Sequence, residues 1–185
     1  MSPLPNPSPL EPSGRGLVLV FTGDGKGKTS AALGAVLRAL GHGLRVYVAF
    51  FMKGEYPYGE RRILSELAGV TFASFGHEGF INPARVRPEE IEQAHKALAA
   101  ARKATLSGEY ELVVLDEVNL AVAWGLVPLA DVVGLIDARP SRVGLILTGR
   151  QADPKLIELA DLATEMVKVK HPYDKGIMAQ AGVDY

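Results

Sequence analysis

The stretch Thr22-Gly23-Asp24-Gly25-Lys26-Gly27-Lys28-Thr29-Ser30 decides how this chain folds. It joins a short apolar run, Leu17–Phe21, to an Ala- and Leu-rich stretch, Thr29–Leu40, which Gly41-His42-Gly43 brings to a stop. An unbroken apolar run that ends at glycines reads as a strand buried on both faces. The stretch that follows reads as a helix closed by glycine, with His42 as part of the turn. Between them, glycines let backbone N–H groups turn inward around phosphate oxygens with no Cβ in the way. The helix that begins near Lys28 points its positive end at the same anion. Lys28 adds a mobile ammonium, and the Thr29 hydroxyl is a ligand for Mg²⁺. Asp24, Lys26 and Ser30 complete the loop as nucleotide-binding candidates. With strand, loop and helix in register, Gly23–Thr29 reads as a grip for a triphosphate. Against the pattern G-x-x-x-x-G-K-[ST], the first position holds Thr22 in place of glycine. That departure points to a loop not shaped for the usual γ-phosphate chemistry.

Outward from the loop, apolar runs and helical periodicity alternate. Strands are expected at Leu44–Phe51, Val70–Phe75, Leu112–Leu115, Val143–Leu147 and Glu165–Val169. Helices are expected at Glu60–Ala68, from Pro88 to about Ser107, at Asn119–Trp124, from Pro128 to about Ala138, and at Pro154–Leu162. Pro88 at a helix start, with Glu89 and Glu90 in the first turn, suits the helix dipole. Alternation of this kind means a parallel sheet covered on both faces. The fold class is α/β, a three-layer P-loop NTPase-like (RecA-like) fold with a mostly parallel central sheet. Gly76–Arg87 is a loop without periodicity, long enough to carry function. Trp124 reads as core, His77 as a loop residue, and Met52 and Lys53 as strand-end residues near the site.

Prolines at positions 3, 5, 7, 9 and 12 exclude a helix from the first residues. Residues 1–14 are expected as a flexible proline-rich tail, ahead of one α/β domain over residues 15–185. With 185 residues the chain can bury a full core. A formal net charge of -1 gives no global pull toward nucleic acid or anionic membrane. With no cysteine, disulfides, thiolate zinc sites and cysteine nucleophiles are excluded. No apolar run reaches the roughly 20 residues that span a bilayer, and no secretory pattern opens the chain. A cytoplasmic location is the expectation.

Asp116-Glu117, at the end of an apolar strand, forms the second half of the candidate site. Ligands of open parallel sheets gather at the C-terminal ends of strands, and a carboxylate there holds Mg²⁺ directly or through water.

These residues resemble one family, the cob(I)alamin adenosyltransferases of the CobA/BtuR type, or ATP:corrinoid adenosyltransferases. The likeness runs from about Gly16 to Tyr185. It rests on TGDGKGKTSAALG at 22–34, RALGHGLRV at 38–46, FMKG at 51–54 and GER at 59–61. Further marks are LDEVNLA at 115–121, ARPSRVGLILTGR at 138–150 and KHPYDKGIMAQAGVDY at 170–185. The resemblance implies that the Co(I) centre of a reduced corrinoid, cob(I)alamin or cob(I)yrinic acid a,c-diamide, attacks C5′ of ATP. Inorganic triphosphate leaves, and the nucleotide lies across the loop in the reverse of the ordinary sense. It implies Mg²⁺ (or Mn²⁺) as cofactor, with Thr29, Glu117 and Asp116 at the metal and Lys28 and Glu117 as catalytic residues. It places Arg38 and Arg150 near the nucleotide. Phe80, in the loop that covers the corrinoid, matches an aromatic position of the family, while Asn82 stands where some members have tryptophan. The 170–185 segment is expected in the corrinoid pocket. A homodimer and an electron-donating flavoprotein partner follow from the same likeness. The competing readings are another P-loop enzyme, such as a small-molecule kinase, a RecA-like nucleic-acid ATPase, or a nucleotide-binding regulator without catalysis.

Overall fold

The structure, a computed structural model, describes residues 14–54, 58–77, 79 and 81–185. Six parallel strands form its sheet: β1 (Val18–Thr22), β2 (Val46–Phe50), β3 (Val70–Ser74), β4 (Leu112–Asp116), β5 (Gly144–Thr148) and β6 (Leu162–Glu165). Their order across the sheet is β3-β2-β4-β5-β1-β6. The helices are α1 (Lys28–Gly41), α2 (Gly59–Glu66), α3 (Pro88–Ser107), α4 (Val118–Ala123), α5 (Leu129–Ala138) and α6 (Pro154–Leu159).

Every residue of β2 and β5 is buried, which is why both read as unbroken apolar runs and not as alternating ones. Alternation survives only in which face each side chain meets. Val18, Val20, Val113, Leu115, Leu145 and Leu147 pack against α3, α4, α5 and α6. Phe21, Val46, Val48, Phe50, Val114 and Ile146 turn the other way, onto Ala32, Val36 and Ala39 of α1 and Leu64 of α2. The result is three layers, as the alternation of strands and helices requires. Each fully buried Val, Leu or Ile contributes about 1.5–3 kcal/mol of transfer free energy.

Helix α3 starts where the sequence places it, and its cap is tighter than expected. The Arg87 backbone N–H donates to Glu90 Oε2 at 2.8 Å, while the Arg87 side chain donates to Glu90 Oε1. Pro88 occupies the first turn, where its missing N–H costs nothing.

The last strand differs from expectation. The helix expected to reach Leu162 ends at Leu159, and the strand expected at Glu165–Val169 lies at Leu162–Glu165. Asp161 sets that register. Its carboxylate accepts from the Val18 N–H at 2.9 Å, and its own N–H donates to the Val18 carbonyl at 2.8 Å. The ladder runs from there until Met166 N–H reaches Thr22 O, where β1 itself ends.

Connections leave the sheet in opposite directions on either side of the site. From β1 the chain crosses by α1 toward β2, whereas from β5 it crosses by α6 to β6, on the far side of β1. The loops after β1 and β5 therefore part above the sheet's C-terminal edge, where open α/β sheets hold their ligands.

Leu145 is fully buried near the start of β5, away from that edge. Leu145→Ala is expected to lower the unfolding free energy by about 2–5 kcal/mol, read as a lower urea midpoint with unchanged slope.

Candidate nucleotide site

The loop between β1 and α1 folds around the lysine at its end. Lys28 Nζ donates to the carbonyls of Gly23 and Gly25, both at 2.7 Å. Burial pulls its pKa below the ordinary lysine value, and the Arg150 charge lowers it further, against the opposing pull of Glu117, Asp24 and Asp116.

The glycines divide into two jobs. Gly27 has φ +119 and takes a backbone shape that side chains resist, immediately before α1. Gly23 and Gly25 are needed for room. A Cβ on Gly25 would lie 2.6 Å from the Met166 carbonyl oxygen, and one on Gly23 would lie 2.5 Å from it. The Gly25 N–H also donates to that oxygen at 2.6 Å. The chain beyond β6 thus shapes the loop from behind. Thr22, which departs from the usual motif, ends β1 and accepts the Ala152 N–H on its hydroxyl at 3.1 Å, tying in the loop after β5.

Thr29 Oγ1 donates to Asp116 Oδ1 at 2.9 Å, joining the start of α1 to the end of β4. Thr148 Oγ1, at the end of β5, donates to the same oxygen at 2.6 Å and accepts the Glu117 N–H at 2.9 Å. Asp116 Oδ2 pairs with Lys53 Nζ at 2.7 Å. Glu117 is a non-glycine residue at φ +67, and its Oε2 is buried without a hydrogen-bond partner. Burial raises its pKa, the neighbouring Asp116 adds to this, and Lys53, Lys28 and Arg150 oppose it. Asn119, wholly buried, joins β1 to the loop after β5 through Nδ2, which donates to Phe21 O at 3.4 Å and Gly149 O at 3.3 Å.

Above these groups opens a cleft of about 640 Å³, within the range of small-molecule sites. Gly25, Lys26, Gly27, Lys28, Thr29 and Ser30 form its floor, with Glu117, Lys53 and Arg150 beside them. Leu33, Gly34 and Leu37 of α1 make an apolar wall, and Gly182–Tyr185 close the opposite side. Asp184 pairs with Lys26 at 2.7 Å, so the 170–185 segment sits against the phosphate loop.

Of the expected site residues, the fold brings together Lys28, Thr29, Ser30, Asp116, Glu117 and Arg150 with Lys26 and the loop glycines. Asp24 is exposed on the loop and acts on Lys28 through its charge. Arg38 sits in the last turn of α1, exposed and outside the cleft lining; ten residues of helix place it ~15 Å along the axis from Lys28. Phe80 lies outside the described residues. His77 and Met52 border a recess of only about 10 Å³, and Trp124 packs against the core. Sequence reasoning missed Thr148 and Asn119. A threonine at a strand end or an asparagine in the first turn of α4 carries no motif of its own, and only the meeting of distant elements reveals its use.

A divalent cation fits this donor set. Among the described residues no cluster of three His, Cys, Asp or Glu could hold a metal unaided. Thr29 and Glu117 nevertheless both line the cleft beside the phosphate loop, and Glu117 Oε2 is a buried acceptor without a hydrogen-bond partner; triphosphate oxygens would complete the shell.

A parallel sheet with β5 between the loop-bearing β1 and the acidic β4, and a lysine-closed loop feeding a helix, defines a P-loop nucleotide-binding protein. The model of the ATP:corrinoid adenosyltransferase BtuR/CobO/CobP family matches residues 14–185, and the chain belongs to that family. It is 40% identical over 171 residues to a corrinoid adenosyltransferase of Escherichia coli strain K12, covering 92% of this chain and 86% of that one. The corrinoid adenosyltransferase CobA of Salmonella typhimurium is 39% identical, with the same coverage. One from Pseudomonas aeruginosa is 41% identical over 92% of this chain and 84% of its own. Among solved structures, the flagellar accessory protein FlaH from Methanocaldococcus jannaschii superposes with a TM-score of 0.54 at 14% identity, covering 82% of this chain and 71% of FlaH. That likeness is one of fold. No helix among the described residues is long and apolar enough to cross a membrane.

The raised pKa of Glu117 has a sign that can be checked. Its folded form holds a proton more tightly than the unfolded chain does, so its contribution to stability is lost as pH rises through the folded value. Glu117→Gln is therefore expected to raise the melting temperature of the ligand-free protein at pH 7. The gain should shrink as pH falls through the raised folded value toward the ordinary carboxylate value and be gone below it, which differential scanning calorimetry across pH would follow.

Proposed function

We infer that this cleft performs the family's reaction: transfer of the 5′-deoxyadenosyl group of ATP to the Co(I) centre of a reduced corrinoid. A Co–C5′ bond forms as the bond from C5′ to the α-phosphate oxygen breaks, and that electron pair departs with inorganic triphosphate. The observation that carries this reading is the phosphate loop closed over Lys28 at the floor of the cleft, in a chain of this family. The polar floor is built to hold an anion, and the attacking group comes with the substrate.

The loop amides, Lys28 and Arg150 bind the triphosphate and meet the charge that grows on it as it leaves. Thr29 and Glu117 would hold Mg²⁺ or Mn²⁺, with Asp116 behind them orienting the Thr29 hydroxyl. A cation there neutralises the departing anion as a Lewis acid. Glu117, fixed by the Thr148 bond to its backbone, also faces the ribose side of the cleft. The apolar wall of Leu33 and Leu37 and the Gly182–Tyr185 segment exclude water from the reacting carbon. The Phe80 loop is placed over the corrinoid in this reading.

Co(I) needs an electron donor, for which an electron-donating flavoprotein in the cytoplasm is the proposed partner. Leu162 in the edge strand β6, and Val167 and Val169 just beyond it, are exposed, which supports a homodimer.

The test is a product assay with ATP, Mg²⁺ and chemically reduced cob(I)alamin without oxygen. A light-sensitive alkylcobalamin spectrum and one triphosphate per turnover are expected. Lys28→Ala should cut the rate by at least about 100-fold, in the range seen when one charge-stabilising donor is removed. ADP in place of triphosphate, with the corrinoid unchanged, would move the site to the kinases.

A further inference from the structure

Lys53 is a cleft lysine to which the reading above gives no task. It follows β2, lines the cleft, and has a side chain only 13% exposed. Its ammonium lies 2.7 Å from Asp116 Oδ2, on a carboxylate that is 1% exposed. The rings of Phe50 and Tyr58 stand 5.2 and 5.1 Å from the same nitrogen, a cation–π arrangement that favours a charge there.

The backbone that carries Lys53 is itself held. Arg61 Nη2 donates to the Lys53 carbonyl at 3.0 Å, and Nη1 donates to the Gly54 carbonyl at 2.7 Å. The same guanidinium stacks 4.6 Å from the Tyr58 ring. Lys53 is therefore aimed and is no mobile surface lysine.

Of the roughly four lone-pair sites on the Asp116 carboxylate only one, on Oδ2, remains open, and it lies beside the Lys53 ammonium. Oδ1 accepts from Thr29 and Thr148, and Oδ2 is taken by Lys53. Two adjacent carboxylates beside a phosphate loop would otherwise attract more than one divalent cation, as sites with paired carboxylates do. We propose that Lys53 is a built-in monovalent cation that neutralises Asp116 and limits the site to a single divalent cation, held at Thr29 and Glu117. It acts as a positioning residue, by keeping Asp116 an acceptor for the Thr29 hydroxyl. It also adds a positive charge to the floor where triphosphate binds.

This inference rests on the metal placement proposed above, and its test separates the two. Free Mn²⁺ would be measured by electron paramagnetic resonance, and ATP affinity by calorimetry in EDTA, with folding followed by circular dichroism. Wild-type protein is expected to take one Mn²⁺ per chain with ATP and to bind it weakly without nucleotide. Lys53→Met and Lys53→Gln should bind Mn²⁺ without nucleotide at least about tenfold tighter, because an ammonium in contact with the carboxylate has gone. The same variants should bind metal-free ATP about tenfold more weakly, and Lys53→Arg should restore both values toward wild type. A merely structural lysine would weaken both affinities together. Unchanged or weaker Mn²⁺ binding in the neutral variants, or two Mn²⁺ per wild-type chain, overturns the proposal. If instead Thr29→Val and Glu117→Gln keep the Mn²⁺ bound with ATP, the metal placement itself is wrong.

Discussion

The site depends on one oxygen. Asp116 Oδ1 accepts hydrogen bonds from Thr29 at the head of α1 and from Thr148 at the tip of β5, while its own strand supplies the third side. Hydroxyl bonds to a buried carboxylate are charge-assisted and strong, and leaving that carboxylate unpaired would be costly. The phosphate loop, the acidic strand and the strand between them are therefore locked into one spacing. Everything the cleft does with a nucleotide assumes that spacing.

Around this lock the backbone is unusually strained. Met52, Glu117 and Gln151 all have φ between +55 and +67 without being glycine. They follow β2, β4 and β5, each at the sheet's C-terminal edge. A left-handed conformation costs about 1–2 kcal/mol for a residue with a Cβ. The surrounding bonds hold it, as the Thr148 hydroxyl holds the Glu117 amide. In exchange Glu117 turns into the cleft at the point where the strand stops, and Lys53, directly after Met52, reaches back to Asp116.

The sequence made the fold legible because buried parallel strands and amphipathic helices leave different periodicities, and nearly every element falls within a residue or two of its expected place. The exception, β6, is an exposed edge strand whose apolar pattern says little; its register comes from Asp161, a contact with Val18 that no local signal announces. At the site, Lys28, Thr29, Asp116 and Glu117 were legible because their spacing is tied to strand and helix ends. Arg38 followed from resemblance alone, and the ligand-free geometry sets it apart from the cleft. Thr148, Asn119 and the pairing of Lys53 were not legible, since each gains its role from a neighbour far away in the chain.

The packing of Gly23 and Gly25 against Met166 has a consequence for how the chain is made. The loop is synthesised long before the carbonyl that braces it, which belongs to Met166 just past the strand β6. Until that strand arrives, the Gly25 amide has no partner and the loop's outer curve has nothing behind it. Chains emerge from the ribosome N-terminus first and at a limited rate. The nascent protein thus carries an unbraced phosphate loop until β6 and Met166 have been made.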